Sequence, residues 1–259
     1  MPSIDTIILQ YAAYLLIGLT SGWFACRDTI WFNGTTWKAL RCVRLVALYK
    51  YALRWKSYSI SPKVFRQACT VTHGTGGISI VNKLRNDLRR SYPLQIIDSD
   101  WEAVYGGGLN LQMNILYASI TEFIIVFRAP YRTAGFGGWH WVNSTCTVLS
   151  GEVVRTAYSS QSGNMEKFQP GQNFRHGEFE RYAYEFAPDS YMACYGRGAV
   201  ALSNVWMGMG SVVNGDPISF AKLLYVYNNA CVNQIIHSLN DLLKKIFSCI
   251  ALLVEDDAR

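Results

Sequence analysis

The sequence is poor in charge. Only 16% of its 259 residues are Asp, Glu, Lys or Arg, whereas half are hydrophobic and 14% are aromatic. A water-soluble domain of this size normally carries more charge. The aromatic residues include 8 Trp and 16 Tyr, whose amphipathic rings favour the boundary between lipid and water. The composition therefore indicates a protein in partial contact with a membrane.

Several functional motifs are missing. The chain has no GxGxxG or GxxxxGK[ST] phosphate loop, no GxSxG elbow and no CxxC pair, and its seven cysteines are widely spaced. These absences argue against nucleotide binding, a serine hydrolase, a structural zinc site and a disulfide framework. We also find no nucleic-acid-binding motif to accompany the basic residues. We predict no nucleic-acid partner.

Metal ligands are sparse as well. The four histidines are scattered, and the one cluster with suitable spacing is His176 with Glu178 and Glu180. On a strand these three side chains would share a face, but a cupin-type metal site needs further histidines. We predict no metal and no cofactor, and we expect His176 to make structural hydrogen bonds.

An uncharged stretch stands near the amino end. Residues 6–26 contain no charged residue, and 21 helical residues rise roughly 30 Å, enough to cross a bilayer. A cleaved signal peptide is the alternative, but a basic region before the stretch is missing and Asp5 stands there instead. We predict a transmembrane anchor over residues 1–30.

A basic segment follows the anchor. Residues 27–66 hold nine Lys or Arg and one Asp, which places the segment on the cytosolic or matrix-like side by the positive-inside rule. Residues 37–57 mix these cations with Leu, Val, Tyr and Trp, as an interfacial helix does. A helix packed on a neighbouring subunit is the alternative. Residues 31–77 are thus predicted to be a basic interfacial helix and linker.

The middle of the chain predicts a β-structure flanked by a helix. "ISIVNKLRNDLRRSYP" has helical spacing and stops at Pro93. From Glu122 onward, short aromatic or β-branched runs alternate with Gly or Pro turns, a pattern typical of a small antiparallel sandwich or barrel. Residues 78–198 are predicted to form this part, and the fold class is α+β.

Two helices are predicted over residues 199–259. "AVALSNVWMGMGSVV" is too short to span a bilayer, and "NGDP" at 214–217 separates it from a second, longer helix that charged residues interrupt. Both are expected to lie flat on a membrane. Gly208 and Gly210 would let helices approach closely.

Five motifs follow one another along the chain: "WEAVYGGG" from Trp101, "MNILYASITEF" from Met113, "FQPG" from Phe168, "RHGEFE" from Arg175 and "APDSYMACYGRG" from Ala187. Taken in this order, they resemble one family, the fungal sterol C-8 isomerases and sigma non-opioid receptors. The second is similar to the family's "HASLSEY" run and the last to its "WxxEYGRG". The similarity covers roughly residues 80–230.

The resemblance implies an amino-terminal transmembrane helix, a cupin-like antiparallel β-barrel around a lipophilic ligand, and two carboxy-terminal helices that close the barrel onto the membrane. The positions that match the family's structural residues are Glu122, Tyr195, Gly196, Arg197 and Gly198. We expect "YGRG" to be the turn between the last strand and the helices. The tentative barrel-lining residues are Trp141, Cys146, His176, Tyr182 and Cys194.

The chain departs from the family at its carboxylates. Asn143, Cys146 and Cys194 stand where the family has acids, and the surviving acids Glu180 and Glu185 match other positions. Moving a sterol double bond needs a proton donor, a proton acceptor and stabilisation of a carbocation, and a neutral thiol supplies none of these well. We therefore predict a divergent member that is not an enzyme.

The resemblance also implies that the two replaced acids face each other, which brings Cys146 near Cys194. A disulfide between them is the less favoured alternative, because a reducing compartment disfavours it. We expect two free thiols there.

We predict that the protein is a non-catalytic accessory subunit of a larger membrane complex and that it holds a neutral lipid. A mitochondrial respiratory complex is one such complex. The alternatives are an isomerase with rearranged acids and a sigma-receptor-like ligand-binding chaperone. Predicted partners are membrane lipids and either complex subunits or, by family resemblance, two further copies in a homotrimer. The resemblance implies the endoplasmic reticulum, and a complex subunit would reside in the inner mitochondrial membrane.

Overall fold

The structure is a computed structural model that describes residues 58–72, 74, 76–158 and 165–257, as well as residues 44 and 48. From residue 241 onward it describes the backbone and the side chain of Leu243. The predicted transmembrane anchor and almost all of the predicted basic interfacial helix lie outside the described residues. Residues 60–259 form one compact unit.

Antiparallel strands occupy residues 102–198, and we call them together the double sheet. They are β1 (Glu102–Gly106), β2 (Leu109–Ala118), β3 (Glu122–Ala129), β4 (Thr133–Phe136), β5 (Val142–Ser150), β6 (Val153–Ala157), β7 (Met165–Phe168), β8 (Asn173–His176), β9 (Tyr182–Phe186) and β10 (Ser190–Gly198). One sheet has the order β1-β2-β3-β10-β5-β8 and the other β4-β9-β6-β7. The predicted α+β class with an antiparallel β-structure is confirmed.

The six-stranded sheet is buried on both faces, which explains the nearly continuous apolar runs in its central strands. Along β3, Ile125 belongs to the core inside the double sheet, whereas Ile124 and Val126 belong to the core on the outer face. Along β10, Cys194 faces inward and Ala193 outward. Successive side chains of a strand point to opposite faces, so both sets must be apolar.

Two helices cover the outer face. Helix α1 spans Pro62–Thr72 and helix α2 spans Ile78–Ser91. Helix α2 buries Leu84 and Leu88, whose spacing of four residues puts them on one face of the helix. The predicted helix that stops at Pro93 is thus confirmed, whereas the sequence reading did not find α1.

Two further helices follow the double sheet. Helix α3 spans Val200–Val213 and helix α4 spans Pro217–Asp257. The break at "NGDP" is confirmed: Gly215 has a positive φ of 73°, and Pro217 takes the first helical position, where its missing N–H costs nothing. Within the described part of the chain, neither α4 nor any shorter helix has an apolar stretch of sufficient length to cross a bilayer.

Helix α3 lies close to its neighbours at Gly208 and Gly210, the two glycines predicted to allow close packing. A Cβ on Gly210 would collide with the carbonyl oxygen of Tyr105 in β1, and one on Gly208 would meet the ring of Phe220 in α4. The expected close approach therefore takes place against a strand as well as a helix. Placement of α3 and α4 on a membrane stays a prediction.

Two local expectations were wrong. The strand pattern does not begin at Glu122, because β1 and β2 precede it. Strand β2 was missed although its alternation is plain in the sequence: Leu109, Leu111, Met113 and Ile115, which face the inner core, are separated by Asn110, Gln112 and Asn114. "YGRG" is not a turn either: it ends β10, whose pairing with β5 continues to Gly198.

Candidate functional site

A cavity lies inside the double sheet and is closed by α3 and α4. Its volume is about 150 Å³. Most of its wall is aliphatic, aromatic or thioether side chains, including Leu111, Met113 and Met192 from the sheet and Met207 and Leu223 from the helices. A largely apolar cavity of this size can accept an apolar molecule. This cavity is the candidate ligand site.

Side chains that face the cavity form rows across the sheet, because paired residues on neighbouring strands lie side by side. Cys146 of β5 lies opposite both Cys194 of β10 and Phe174 of β8. Two residues away along the same face, Ser144 lies opposite His176. Each step of two residues along a strand moves about 7 Å, so the cysteine row stands about 7 Å from the row of Ser144.

Cys146 and Cys194 form a disulfide, with their Cα atoms 4.1 Å apart. Both residues are buried and line the cavity. The expectation of two free thiols was wrong in this structure, because direct pairing across β5 and β10 brings the two Cβ atoms together on the cavity face. A covalent bond that carries no charge stands where the resemblance implied a pair of acids.

None of the cavity-lining residues in the described part of the chain is acidic or carries a Lys or Arg side chain. Glu122 is fully buried, but on the outer face, beside Ile60. Glu185 pairs with Arg132 at the surface. Glu180 accepts hydrogen bonds from the Gly177 N–H at 2.6 Å and the Tyr182 hydroxyl at 3.1 Å. The three surviving carboxylates thus point away from the cavity.

The Gly177 N–H is the main reason that the pKa of Glu180 is lowered. This carboxylate is exposed and ionised. It belongs to a turn and not to a strand, since β8 ends at His176. The parity argument that would have placed Glu178 and Glu180 beside His176 on one strand face was therefore wrong. Among the described residues, no three His, Cys, Asp or Glu are arranged to hold a metal ion.

Two histidines stand at one end of the cavity. The His176 ring is bonded at both nitrogens: Nε2 lies 3.0 Å from the Glu180 carbonyl oxygen and Nδ1 lies 2.9 Å from the Tyr184 hydroxyl. Since a carbonyl only accepts, Nε2 carries the proton and Tyr184 donates to Nδ1. Burial lowers the pKa of His176, so the ring is neutral near pH 7.

His140 packs edge-on against His176, with ring centroids 5.4 Å apart. Burial, with the neighbouring His176 as the second cause, lowers the pKa of His140 from 6.5 to about 4. The backbone of nearby Gly137 opposes this lowering of the pKa. The end of the cavity is consequently polar and uncharged.

The other tentative lining residues lie elsewhere. The Trp141 ring packs against Phe179 at a centroid distance of 4.9 Å, and the Tyr182 ring lies 5.3 Å from that of His176. Neither belongs to the cavity wall, whereas Cys146, His176 and Cys194 do. A ligand-binding role for all five stays a prediction.

The exposed Asn143 also lies outside the cavity wall. It accepts a hydrogen bond from Arg175 at 2.9 Å.

Three of the predicted structural residues, Glu122, Tyr195 and Arg197, meet at the outer face of the six-stranded sheet. The Tyr195 hydroxyl donates to Glu122 at 2.8 Å, and the Arg197 guanidinium lies 4.0 Å from the same carboxylate and 2.9 Å from the Ile60 carbonyl oxygen. A Cβ on Gly196 would collide with the Phe123 ring. Gly198, the last residue of β10, has a positive φ of 142°. The group ties β3 and β10 to the segment before α1.

The sequence reading missed His140, Ser144 and Asn204 in the cavity wall. Ser144 could have been found, because it shares strand parity with Cys146. Asn204 could not, since it reaches the cavity only through the packing of α3. His140 stands in a loop, where no periodicity assigns a direction to its side chain.

Comparison with known proteins supplies the family. Residues 39–239 match the family described as "ERG2 and Sigma1 receptor like protein". The chain belongs to this family.

The sigma non-opioid intracellular receptor 1 of Xenopus tropicalis is 28% identical over 174 residues, which are 63% of this chain and 78% of the receptor. The C-8 sterol isomerase erg2 of Aspergillus fumigatus is 28% identical over 148 residues, which are 54% of this chain and 61% of the isomerase. Among solved structures, KdgF from Halomonas sp. matches 42% of this chain and 98% of its own, at 16% identity and a TM-score of 0.34.

Proposed function

We propose that this protein is a non-catalytic member of its family that holds a neutral apolar molecule in the cavity of the double sheet. The observation that carries the proposal is the disulfide between Cys146 and Cys194 in a cavity wall whose described residues include no acid. Double-bond migration needs a group that protonates an alkene carbon and a group that removes a neighbouring proton. A disulfide does neither.

The same wall argues against cationic ligands. An ammonium group buried without a counter-charge is strongly unfavourable, and the described wall offers no carboxylate. His140 and His176, whose pKa values are lowered by burial, add no charge of either sign near pH 7. A neutral molecule meets no such penalty and gains from burying its apolar surface.

The helices that close the cavity support a place at a membrane. They expose many large apolar side chains, namely Leu202, Val205, Met209, Val212 and Val213 on α3 and Ile218, Tyr225, Val232, Ile235, Ile236, Leu239 and Leu243 on α4. Exposed apolar surface on this scale marks contact with lipid or with another protein. We propose that α3 and α4 lie on a membrane.

We further propose that the protein is an accessory subunit of a larger membrane complex. The exposed apolar side chains of α3 and α4 support this, because subunits as well as lipids can cover them. Purification from native membranes, followed by identification of co-migrating proteins, tests the role. Stoichiometric recovery of other subunits is expected, and a mitochondrial respiratory complex would place the protein in the inner mitochondrial membrane. Recovery of homotrimers alone, from the endoplasmic reticulum, would contradict the accessory role.

The absence of catalysis is tested with a C-8 sterol and the purified chain. No double-bond migration is expected in excess of a sample without protein. Turnover by the unmodified protein would overturn the proposal, since the described cavity wall contains no acid to supply the protons.

A gain-of-function pair tests the role of the disulfide positions. C146D/C194E places two carboxyl groups on the cavity face, where a lipophilic amine can pair with them. C146S/C194S is the matched control, because it removes the disulfide without adding charge. We expect saturable binding of a radiolabelled lipophilic amine by the acid variant only. Equal binding by the unmodified protein would contradict a cavity for neutral ligands.

A further inference from the structure

The start of β5 carries a sequence triplet that the proposed function does not use. Asn143, Ser144 and Thr145 follow one another there and read Asn-X-Thr, with a residue other than proline in the middle. We call these residues the Asn143 triplet. A triplet of this form is the acceptor for an N-linked oligosaccharide, a bulky group that a protein tolerates at its surface. Asn143 is also one of the positions where the family resemblance implies an acid.

Asn143 is exposed, whereas the opposite end of β5 is covered. Leu149 lies six residues further along the strand and is fully buried in the outer core, together with Phe65 and Cys69 of α1. Because a strand rises about 3.3 Å per residue, about 20 Å separate Asn143 from this contact. A group attached to the Asn143 side chain would therefore extend away from the part of the outer face that α1 covers.

The hydrogen bonds of Asn143 leave the acceptor atom of its amide available. Oδ1 accepts from the Arg175 guanidinium at 2.9 Å and from the Glu178 N–H at 3.3 Å. An N-linked oligosaccharide is attached through the other amide atom, Nδ2, which neither of these bonds uses. Since a substituted amide keeps its carbonyl oxygen, both bonds can persist in the modified protein. The folded double sheet thus accommodates the modification at this position.

The order of the strands makes the triplet accessible during synthesis. The two strands that flank β5 in the sheet are β10 and β8, and both follow it in the chain. When Asn143 enters a membrane-bounded compartment during translation, its partner strands have therefore not yet followed. An enzyme that modifies nascent chains meets the triplet in an unpaired, extended segment, although the same residues later belong to a sheet.

The disulfide gives an independent indication of the compartment. Cys146 directly follows the triplet and is bonded to Cys194. Disulfides form and persist in oxidising compartments, among them the lumen of the endoplasmic reticulum, where N-linked oligosaccharides are also transferred. Two neighbouring features of β5 with different chemistry thus indicate the same side of a membrane.

We propose that Asn143 is a site of N-linked glycosylation. In the reaction Nδ2 forms a bond to the anomeric carbon of a lipid-linked oligosaccharide, and the bond from that carbon to the lipid pyrophosphate breaks. The pyrophosphate leaves with the bonding electrons, Nδ2 gives up one proton, and nothing is oxidised or reduced.

The modification goes beyond the proposed function, because it does not depend on what the cavity holds. It would place the double sheet in the lumen of the endoplasmic reticulum. An accessory role would then belong to a complex of that membrane and not to one of the inner mitochondrial membrane.

Peptide mapping of the native protein tests the site. The full chain is purified from native membranes and digested, and its peptides are identified by mass spectrometry before and after treatment with an amidase that releases N-linked oligosaccharides and leaves Asp in place of the modified Asn. We expect the peptide with Asn143 to carry an oligosaccharide and the amidase to convert Asn143 to Asp. A second triplet, Asn33-Gly34-Thr35, lies outside the described residues, and the same map reports on it separately.

Variants of the full chain assign the oligosaccharide to the Asn143 triplet. They are made with Asn33→Gln as the common background and expressed in eukaryotic cells. Thr145→Val removes the hydroxyl that the triplet requires but retains the size of the side chain, so the shift in gel mobility caused by the oligosaccharide should be lost. Thr145→Ser is the matched control, because it keeps the hydroxyl and should keep the shift. Asn143→Gln should migrate like Thr145→Val.

Three results overturn the proposal. If Asn143 of the native protein is unmodified while the disulfide is formed, glycosylation is wrong and the double sheet faces another oxidising compartment. If Asn143 is unmodified and Cys146 and Cys194 are free thiols, the oxidising location is wrong as well. If the oligosaccharide is found on Asn33 alone, or if Thr145→Val and Asn143→Gln both retain it, another residue carries the modification.

Discussion

Cys146 and Cys194 lie opposite each other on two central strands, and their bond crosses the cavity wall. Its chemistry differs from that of the two other described cysteines, Cys69 and Cys231, which are buried thiols. Burial raises the pKa of the Cys69 thiol, so that thiol is unreactive while the protein is folded.

Reduction of the disulfide should weaken the fold. The two cysteines are separated by 48 residues, and the chain-entropy model assigns about 4 kcal/mol to closing a loop of this length. We expect the free energy of unfolding, measured by chemical denaturation, to fall by about 2–4 kcal/mol when reductant is present.

The variant C146S/C194S serves as the control, since its stability should not respond to reductant. Alkylation of both thiols in the folded protein without prior reduction, detected by mass spectrometry, would show that the disulfide is not formed.

His140 should make stability depend on pH. Its pKa is lowered from 6.5 to about 4 in the folded protein, so between these values the unfolded chain binds a proton that the folded chain does not. Stability must therefore fall as the pH is lowered from about 6.5 to about 4, by on the order of 2–3 kcal/mol. Burial lowers the pKa of His176 as well and acts in the same direction.

Denaturation curves across this pH range measure the effect. His140→Gln, which cannot take up the proton, should flatten much of the slope. A slope that is unchanged in this variant would assign the pH dependence to other groups.

At the scale of elements, α3 packs closely against β1 because glycines on both elements leave room for the contact. Gly210 faces the Tyr105 carbonyl, and on the strand side Gly106 faces the Trp206 ring. The absence of side chains on both elements lets the helix lie directly over the strand. This places Asn204 and Met207 at the cavity.

Gly210→Ala should destabilise the protein more than Gly208→Ala. The added methyl of the first collides with a backbone carbonyl that cannot move without β1, whereas that of the second meets the Phe220 ring, which can rotate. We expect a loss of about 2–3 kcal/mol for G210A and about 1 kcal/mol or less for G208A, after allowance for the helix preference of alanine. Thermal unfolding of both variants measures the difference, and equal melting temperatures would contradict this packing.

On the scale of the whole molecule, apolar surface is concentrated on α3 and α4, while α1 and α2 cover the opposite face of the six-stranded sheet. The chain carries a formal net charge of +6. Contact with lipid through the exposed apolar side chains of α3 and α4 would not depend on that charge.

Flotation with vesicles tests this surface. We expect the full chain to float with vesicles of neutral phospholipid, and Val205→Glu with Val212→Glu to reduce the bound fraction several-fold, because each buried charge is costly in lipid. Lys167→Glu on β7 is a control away from the helices. Loss of binding at high salt alone, with no effect of the valine variants, would assign membrane contact to the basic residues.

The disulfide also bears on the side of the membrane that the double sheet occupies. Disulfides persist in oxidising compartments, whereas the positive-inside rule predicts a cytosolic or matrix-like side for residues after Arg27. We expect the double sheet to face the oxidising side. Protease digestion tests the point. In intact microsomes the double sheet should be protected, and in mitochondria it should be cleaved once the outer membrane is ruptured and the inner membrane is intact. Cleavage from the cytosol, or protection behind an intact inner mitochondrial membrane, would contradict it.

Composition and periodicity alone determined the α+β class, the helix that stops at Pro93, the helices on either side of "NGDP" and most strands after Glu122. These features depend on neighbours in sequence, since a helix or strand must repeat its apolar residues with its own period. Ordered motifs were also sufficient to identify the family.

Only the tertiary structure decided what the cavity is made of. Whether Cys146 meets Cys194 depends on the register of strands 48 residues apart, and no local pattern encodes that register. Asn204 lines the cavity because Gly210 allows α3 to lie on β1. Glu122 lies outside the cavity because its position along β3 directs its side chain to the outer face of the sheet. The family resemblance therefore placed the two cysteines near each other but favoured free thiols over a disulfide, and it did not reveal the polar end of the cavity.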